Sequence, residues 1–80
     1  MPKARLDLSR NLTEKRIPAE LQGHEAYRLI LWEVDQDTGS KSVYDIYEGV
    51  GKFAIYMFNR QRTAWAQNGL LVDLEPAVYL

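Results

Sequence analysis

The chain has 80 residues, 46% of them apolar and 26% charged, with no cysteine and a formal net charge of −1. This length and composition indicate one small globular domain, residues 1–80, and the lack of cysteine excludes disulfides, thiolate zinc sites and thiol catalysis. Residues 1–10 lack the apolar region of a secretory signal, and no apolar run is long enough to span a bilayer. We therefore expect a cytoplasmic protein without membrane contact.

Charge is unevenly distributed along the chain. Residues 1–16 hold five bases and two acids, residues 17–48 hold seven acids and two bases, and residues 49–80 hold three bases and two acids. The formal net charges of these segments are therefore +3, −5 and +1. Such asymmetry bears on the choice of partners and not on the fold.

The N-terminal part of the chain carries weak structural signals. The stretch KARLDLS alternates weakly through Ala4, Leu6 and Leu8, which makes it a candidate N-terminal strand. The stretch IPAELQG predicts a short helical turn, with Pro18 at its first position and Gly23 as a left-handed stop.

The middle of the chain predicts a β-hairpin. Residues 26–35, AYRLILWEVD, are rich in aromatic and aliphatic side chains, and residues 42–48, SVYDIYE, form the return strand after a turn-forming stretch. An alternative is a helix that starts at the capping box formed by residues 42–45. That helix would contain Gly49 and Gly51, at a cost of about 1 kcal/mol each, so we favour the hairpin.

The C-terminal part predicts a helix followed by a strand. KFAIYMFNRQRTAWAQ predicts a helix over about residues 51–67, which ends at Gly69 with Leu70 packed on Trp65. The stretch LLVDL predicts a final strand that Pro76 terminates. We therefore predict an α+β fold in which a small antiparallel sheet packs on one long helix. The sheet has about three strands, and the N-terminal segment is a candidate fourth.

Side-chain alternation divides the predicted hairpin between two faces of the sheet. We expect one face to pack against the helix through Ile30, Trp32, Val34, Tyr44 and Ile46. The uncovered face would then carry the remaining positions of the hairpin, namely Tyr27, Leu29, Leu31, Glu33, Asp35, Asp45 and Tyr47.

Carboxylates are concentrated in the hairpin. The stretch WEVDQDTGSKSVYDIYEG, residues 32–49, holds five carboxylates and a single cation, Lys41. We predict a surface for binding a basic partner, because tyrosines accompany these acids and aromatic residues are enriched at interfaces. An ordinary solvated sheet face is the alternative. The predicted partner-binding residues are Glu33, Asp35, Asp37, Asp45, Glu48, Tyr27 and Tyr47.

The sequence shows no motif for catalysis or for binding a metal or a cofactor. An EF-hand loop starting at Asp35 would have Ser40 in place of glycine at its sixth position and Ile46 in place of glutamate at its twelfth. The stretch GVGK lacks the first glycine and the Ser/Thr of a phosphate-binding P-loop. The single histidine, His24, has no recognisable partner for acid–base work. We therefore expect a protein that is not an enzyme.

The acids of WEVDQDTGSKSVYDIYEG, the size of the chain and its cysteine-free composition resemble those of small phage-encoded anti-CRISPR proteins. Several members of that group block target recognition by placing carboxylates where the nucleic-acid backbone would lie. The resemblance implies a phage protein that mimics DNA and inhibits a CRISPR effector complex in the cytoplasm of the host bacterium. The basic N-terminus departs from the uniformly acidic mimics and favours a local acidic patch.

Three functions follow from these patterns. The first is a binding or inhibitor protein whose acidic, tyrosine-bearing surface occludes a basic nucleic-acid-binding site on a partner. The second is a small regulator that binds nucleic acid directly, which we expect less because the basic excess is small. It would use Lys3, Arg5, Arg10, Lys15, Arg16, Arg60 and Arg62. The third is an accessory protein that self-associates through a sheet edge.

Overall fold

A computed structural model of the protein describes residues 3–77. Its elements are the strands Ala4–Arg5 (β1), Ala26–Val34 (β2), Lys41–Val50 (β3) and Leu71–Pro76 (β4), and the helix Gly51–Gln67 (α1). The strands form one antiparallel sheet in the order β1-β4-β2-β3. The predicted α+β fold, an antiparallel sheet with one long helix, is confirmed.

The hairpin prediction is confirmed over the alternative helix. Strands β2 and β3 pair along their whole length, from Ala26 opposite Val50 to Val34 opposite Lys41. The register shifts at one point, where Leu31 lies opposite Asp45 but the next residue of β2 lies opposite Val43. This β-bulge bends β3, which is the edge strand of the sheet.

Helix α1 follows β3 without a loop and ends as its sequence predicts. Gly69 adopts a positive φ of 69°, and the amide of Leu70 donates to the carbonyl of Trp65 at 3.1 Å. The Gly69 amide donates to the Ala66 carbonyl at 3.1 Å, which completes the two bonds of a Schellman motif.

In the part of the chain that the structure describes, no helix has the length and apolarity needed to cross a membrane.

The N-terminal segment forms a shorter strand than its sequence suggests, and it contributes more buried residues to the core. Strand β1 has only two residues, and one further bond joins the Leu6 amide to the Val72 carbonyl at 2.9 Å. The predicted helical turn is a 3-10 turn at Ala19–Leu21, and Gly23 follows it with a φ of 84°. Leu21 is fully buried under the helix and sheet.

The core lies between α1, one face of the sheet and the N-terminal segment. The helix contributes Ala54, Phe58 and Trp65 to the core. The buried residues of the sheet and of the N-terminal segment are Tyr27, Leu29, Leu31, Val72, Leu74, Leu12, Ile17 and Leu21.

The prediction of which sheet face meets the helix is wrong. Tyr27, Leu29 and Leu31 belong to the core cluster under α1, whereas Ile30 and Trp32 point to the uncovered face. The sequence was ambiguous because β2 is apolar at both alternations. The outcome follows from β4, where Val72 and Leu74 alternate with the charged residues Asp73 and Glu75 and pair with β2 in register.

Candidate docking surface

The β2–β3 turn is held by hydrogen bonds that depend on Asp35. Its Oδ1 accepts bonds from the amides of Asp37 at 2.8 Å and Thr38 at 3.1 Å. These bonds from Thr38 and Asp37 hold the pKa of the Asp35 carboxyl below its ordinary value. The Asp35 amide donates to the Ser40 carbonyl, and Gly39 has the positive φ of 75° that closes the turn.

Glu33 and Asp37 are the exposed acids on either side of Asp35. Neither carboxylate accepts a hydrogen bond from another residue within the described range 3–77. Glu33 shares an open groove of about 590 Å³ with Asn68 and Gly69, at the C-terminal end of α1. A carboxylate beside a helix C-terminus is unfavourable, because the last carbonyl groups carry partial negative charge.

Of the tyrosines in β3, Tyr47 lies beside the helix, whereas Tyr44 is exposed. Tyr47 stacks on Trp65 with the ring centroids 5.9 Å apart. Partial burial raises the pKa of Tyr47, and the nearby Asp45 carboxylate adds to this increase. Tyr44 is 58% exposed and lies close enough to Tyr47 to contribute to the same shift.

These residues form what we name the acidic hairpin surface: Glu33, Asp35, Asp37, Tyr44, Asp45 and Tyr47. None of its four carboxylates forms an ion pair within residues 3–77. In contrast, Asp73 pairs with Arg5 at 2.7 Å, and Arg28 pairs with Glu48 at 2.6 Å and with Glu75 at 2.8 Å. The acidic hairpin surface therefore carries uncompensated charge.

Two residues predicted to belong to this surface lie elsewhere. Tyr27 is only 4% exposed, and its hydroxyl donates to the Leu21 carbonyl at 2.7 Å, so it belongs to the core. Glu48 projects from the uncovered face, where Arg28 binds it. Both differences arise because the sheet face that packs on α1 is the one predicted to be uncovered. Conversely, Tyr44 was expected against the helix and is instead among the most exposed apolar side chains.

The uncovered sheet face combines a polar network with the exposed apolar side chains Val43 and Ile46, and it is not an acidic surface. Arg28 bridges Glu75 and Glu48, and these bonds raise the pKa of its guanidinium. The indole of Trp32 donates to Asp73 at 2.9 Å, and the ammonium groups of two lysines lie 5.7 and 5.5 Å from its ring centroid. Such cation–π contacts attract the two ammonium groups to the indole ring and shield the ring from solvent.

The basic residues of the alternative function are only partly grouped. Arg5, Arg10 and Arg16 line one cavity beside the N-terminal segment. Arg60 is exposed on α1, but Arg62 reaches back to the N-terminal segment and donates to the Leu8 carbonyl at 3.0 Å and to Asn11 at 2.9 Å. Arg5 is paired with Asp73. The sequence pattern of α1 placed Arg62 on a solvated face, and only its distant partners reveal its structural role.

Metal and acid–base chemistry gain no geometric support from the described part of the chain. Within residues 3–77, no three side chains of histidine, aspartate or glutamate come together as a metal site would require. His24 lies edge-on to Tyr27, with centroids 6.1 Å apart, and the nearby Tyr27 hydroxyl is already committed to a carbonyl.

The acidic hairpin surface is thus the candidate site. Its four carboxylates are exposed, its turn is held by hydrogen bonds, and it includes the exposed Tyr44. Comparisons with protein-family models, curated proteins and solved structures gave no match.

Proposed function

We propose that this protein is a non-enzymatic binding protein that docks its acidic hairpin surface on a basic, nucleic-acid-binding site of a partner and occludes it. The observation that carries the proposal is the concentration of unpaired carboxylates on one hairpin. In the described chain Asp73, Glu48 and Glu75 pair with arginines, and four of the exposed acids that form no ion pair lie within residues 33–45.

Uncompensated surface charge costs some stability through repulsion and is useful mainly in association. A cluster of exposed carboxylates steers the encounter with a basic surface and raises the association rate. The exposed ring of Tyr44 adds apolar area that can be buried in the complex, which slows dissociation. The carboxylates and the Tyr44 ring lie on the same hairpin, so a single partner surface can contact both.

The class of partner follows from the chemistry of the surface. Arginines and lysines that bind nucleic-acid phosphates also bind carboxylates, so an acidic protein surface can compete for them. The resemblance to anti-CRISPR proteins implies the same kind of target. A CRISPR effector complex is therefore the first partner to test.

The sharpest test replaces two acids that have no structural role. Glu33→Lys with Asp37→Lys reverses charge without removing a turn hydrogen bond, whereas Asp35 must be kept because it holds the turn. We expect slower association with purified CRISPR effector complexes, weaker inhibition of their DNA binding, and a smaller difference from wild type at high salt. The melting temperature should be unchanged or higher, because a lysine at position 33 suits the nearby helix C-terminus.

The matched control reverses two exposed charges on the helix, Lys52→Glu with Arg60→Glu. Arg62 is unsuitable for this purpose because it ties down the N-terminal segment. If the helix variant loses inhibition and the hairpin variant keeps it, the acidic hairpin surface is not the docking site. The basic-surface function would then replace it.

A further inference from the structure

A cavity of about 260 Å³ opens where the N-terminal segment folds over α1, on the β1 side of the sheet. The acidic hairpin surface borders β3 at the opposite edge, so the two features are separate. The volume lies just below the usual range of about 300–1,000 Å³ for small-ligand sites, so the cavity would hold only a small ligand or part of a larger one. The cavity is lined by Arg5, Leu6, Asp7, Arg10, Asn11, Leu12, Arg16, Pro18 and Phe58.

The walls of this cavity carry a positive charge. Three arginines line it against one carboxylate, Asp7. The Ser9 hydroxyl at 2.6 Å and the Ser9 amide at 2.9 Å both donate to Asp7. These bonds, together with Arg10 and Arg16, lower the pKa of Asp7, which therefore stays ionised at neutral pH. The formal charge of the lining is thus +2, and one of its positive charges, that of Arg5, is paired with Asp73 outside the lining.

The arginines keep unused hydrogen-bond donors. Arg5 donates its Nε to Asp73 at 2.7 Å, and Arg16 donates one Nη to the Asn11 carbonyl at 3.0 Å. Within residues 3–77, the guanidinium of Arg10 donates to no acceptor, although its charge is close enough to influence Asp7. A guanidinium presents five N–H donors in a planar fork that matches the oxygens of phosphate.

The cavity also has apolar side chains in its lining. Phe58 and Leu12 are buried, so the apolar surface that a ligand can reach comes from the half-buried Leu6 and Pro18. The Asn59 side chain accepts from the Leu12 amide at 2.6 Å and donates to the Leu12 carbonyl at 2.9 Å. Arg62 holds the preceding part of the segment. A cavity whose walls are partly apolar and carry cationic groups suits a ligand that has one anionic and one apolar part.

From this arrangement we infer that the cavity is a binding site for a phosphate group that is attached to a small, partly apolar moiety. The phosphate lies between Arg10 and Arg16, and the apolar part lies against Leu6 and Pro18. Two sources supply this chemistry, a small phosphorylated compound or the end of a nucleic-acid strand. The inference rests on the basic cavity alone and is independent of the proposed function of the hairpin.

The experiment titrates the full chain with inorganic pyrophosphate and with a short single-stranded oligonucleotide at low ionic strength, followed by amide chemical shifts. We expect saturable shifts in residues 5–18 and at Phe58 with pyrophosphate, and none in the hairpin. Tighter binding of the oligonucleotide, with shifts in the same residues, assigns the phosphate to nucleic acid. Tighter binding of pyrophosphate assigns it to a small compound. Both outcomes support the site.

Three variants separate a site from general charge attraction. Arg10→Gln should weaken pyrophosphate binding by about tenfold, because it removes a charged donor pair and breaks no internal hydrogen bond. Asp7→Asn keeps an acceptor for Ser9 but removes the competing negative charge, so it should tighten binding severalfold. Arg60→Gln removes an exposed positive charge outside the cavity and should leave the affinity unchanged.

Two results would overturn the inference. One is the absence of saturable shifts at millimolar pyrophosphate in a protein with a dispersed, folded spectrum. The other is an equal loss of affinity in Arg10→Gln and Arg60→Gln, which would show that the anion responds to net charge and not to the cavity. Asp7→Asn is expected to bind pyrophosphate more tightly than the wild-type protein. Misfolding could not produce this result, because a damaged cavity would bind more weakly.

Discussion

At the scale of single residues, Asp73 shows how one carboxylate helps to decide which sheet face stays open. It is only 3% exposed, and it accepts hydrogen bonds from the Trp32 indole at 2.9 Å and from Arg5 at 2.7 Å. A buried carboxylate without such partners costs several kcal/mol, on the order estimated for uncompensated buried charge. Asp73 therefore cannot face the helix, and Trp32, which binds it, lies on the same side.

Trp65 is the largest side chain that α1 places in the core. It is 6% exposed, stacks on Tyr47 and lies edge-on to Phe58 at a centroid distance of 6.3 Å. Trp65→Ala should lower the free energy of unfolding by about 3–5 kcal/mol, measured by denaturant titration. Tyr56→Ala, at an exposed position of the same helix, should change it by less than about 0.5 kcal/mol. A loss below about 1 kcal/mol in Trp65→Ala would contradict this packing.

The stability of the β2–β3 turn depends on pH through the ionisation of Asp35. Its folded-state pKa lies below the ordinary value of 3.8, because the Thr38 and Asp37 amides bind the ionised form. Its contribution to stability is therefore complete above pH 3.8 and is lost as the pH falls through the lower, folded-state pKa. A carboxyl NMR titration should show this depressed pKa, with the amide shifts of Thr38 following it.

Asp35→Asn is the control for this titration, because it keeps an oxygen acceptor and removes the charge. The Thr38 amide shift of that variant should lose its transition at low pH. A transition that persists unchanged would mean that another group reports on the turn.

At the scale of elements, the junction between β3 and α1 depends on a missing side chain. The helix starts at Gly51, directly after the strand, and Phe53 folds back over Gly49. A methyl group on Gly49 would contact the Phe53 side chain, including Cγ at 3.0 Å and Cβ at 3.2 Å. Since φ at Gly49 is not positive, the requirement for glycine here is steric.

Gly49→Ala should therefore destabilise the protein by about 1–3 kcal/mol, the usual cost of overpacking. Gly49→Ala with Phe53→Ala should cost less than the sum of the single changes, because the contact disappears with the ring. Thermal and denaturant unfolding of the four proteins measure this coupling. Additive losses would show that the strain lies in the backbone and not in the contact with Phe53.

At the scale of the whole molecule, the N-terminal segment forms one side of the hydrophobic core. The sheet and α1 leave one side open, and Leu12, Ile17 and Leu21 fill it. Asn59 fastens this segment to the helix through both backbone groups of Leu12. The arrangement separates two charged regions at opposite edges of the sheet, the basic cavity beside β1 and the acidic hairpin surface beside β3.

Asn59→Ala should cost about 1–3 kcal/mol, because the Leu12 amide and carbonyl lose their partners in a buried position. Amide hydrogen exchange should accelerate first in residues 10–18 and later in the sheet. Thr63→Ala, at an exposed position of α1, serves as the control. Uniform acceleration across the sheet and the segment would mean that the segment unfolds only with the whole domain.

Local patterns were sufficient for the elements of this protein. The glycine stop at Gly69, the turn at Gly39 and the periodicity of residues 51–67 act within a few residues, so the hairpin and the helix could be predicted from the sequence. The concentration of acid in the hairpin is likewise a property of sequence. Four of its five carboxylates are exposed and form no ion pair within residues 3–77.

Only the tertiary structure decided which face of β2 is buried, and therefore where Tyr27 and Glu48 lie. Both alternations of β2 are apolar, so its own sequence cannot choose between them. The choice depends on β4, whose residues lie 39 to 49 positions after their partners in β2. In β4, Asp73 and Glu75 require cationic partners, and Val72 and Leu74 require burial. The roles of Asn59 and Arg62 are hidden for the same reason, because their partners are distant in sequence and meet them only in the folded chain.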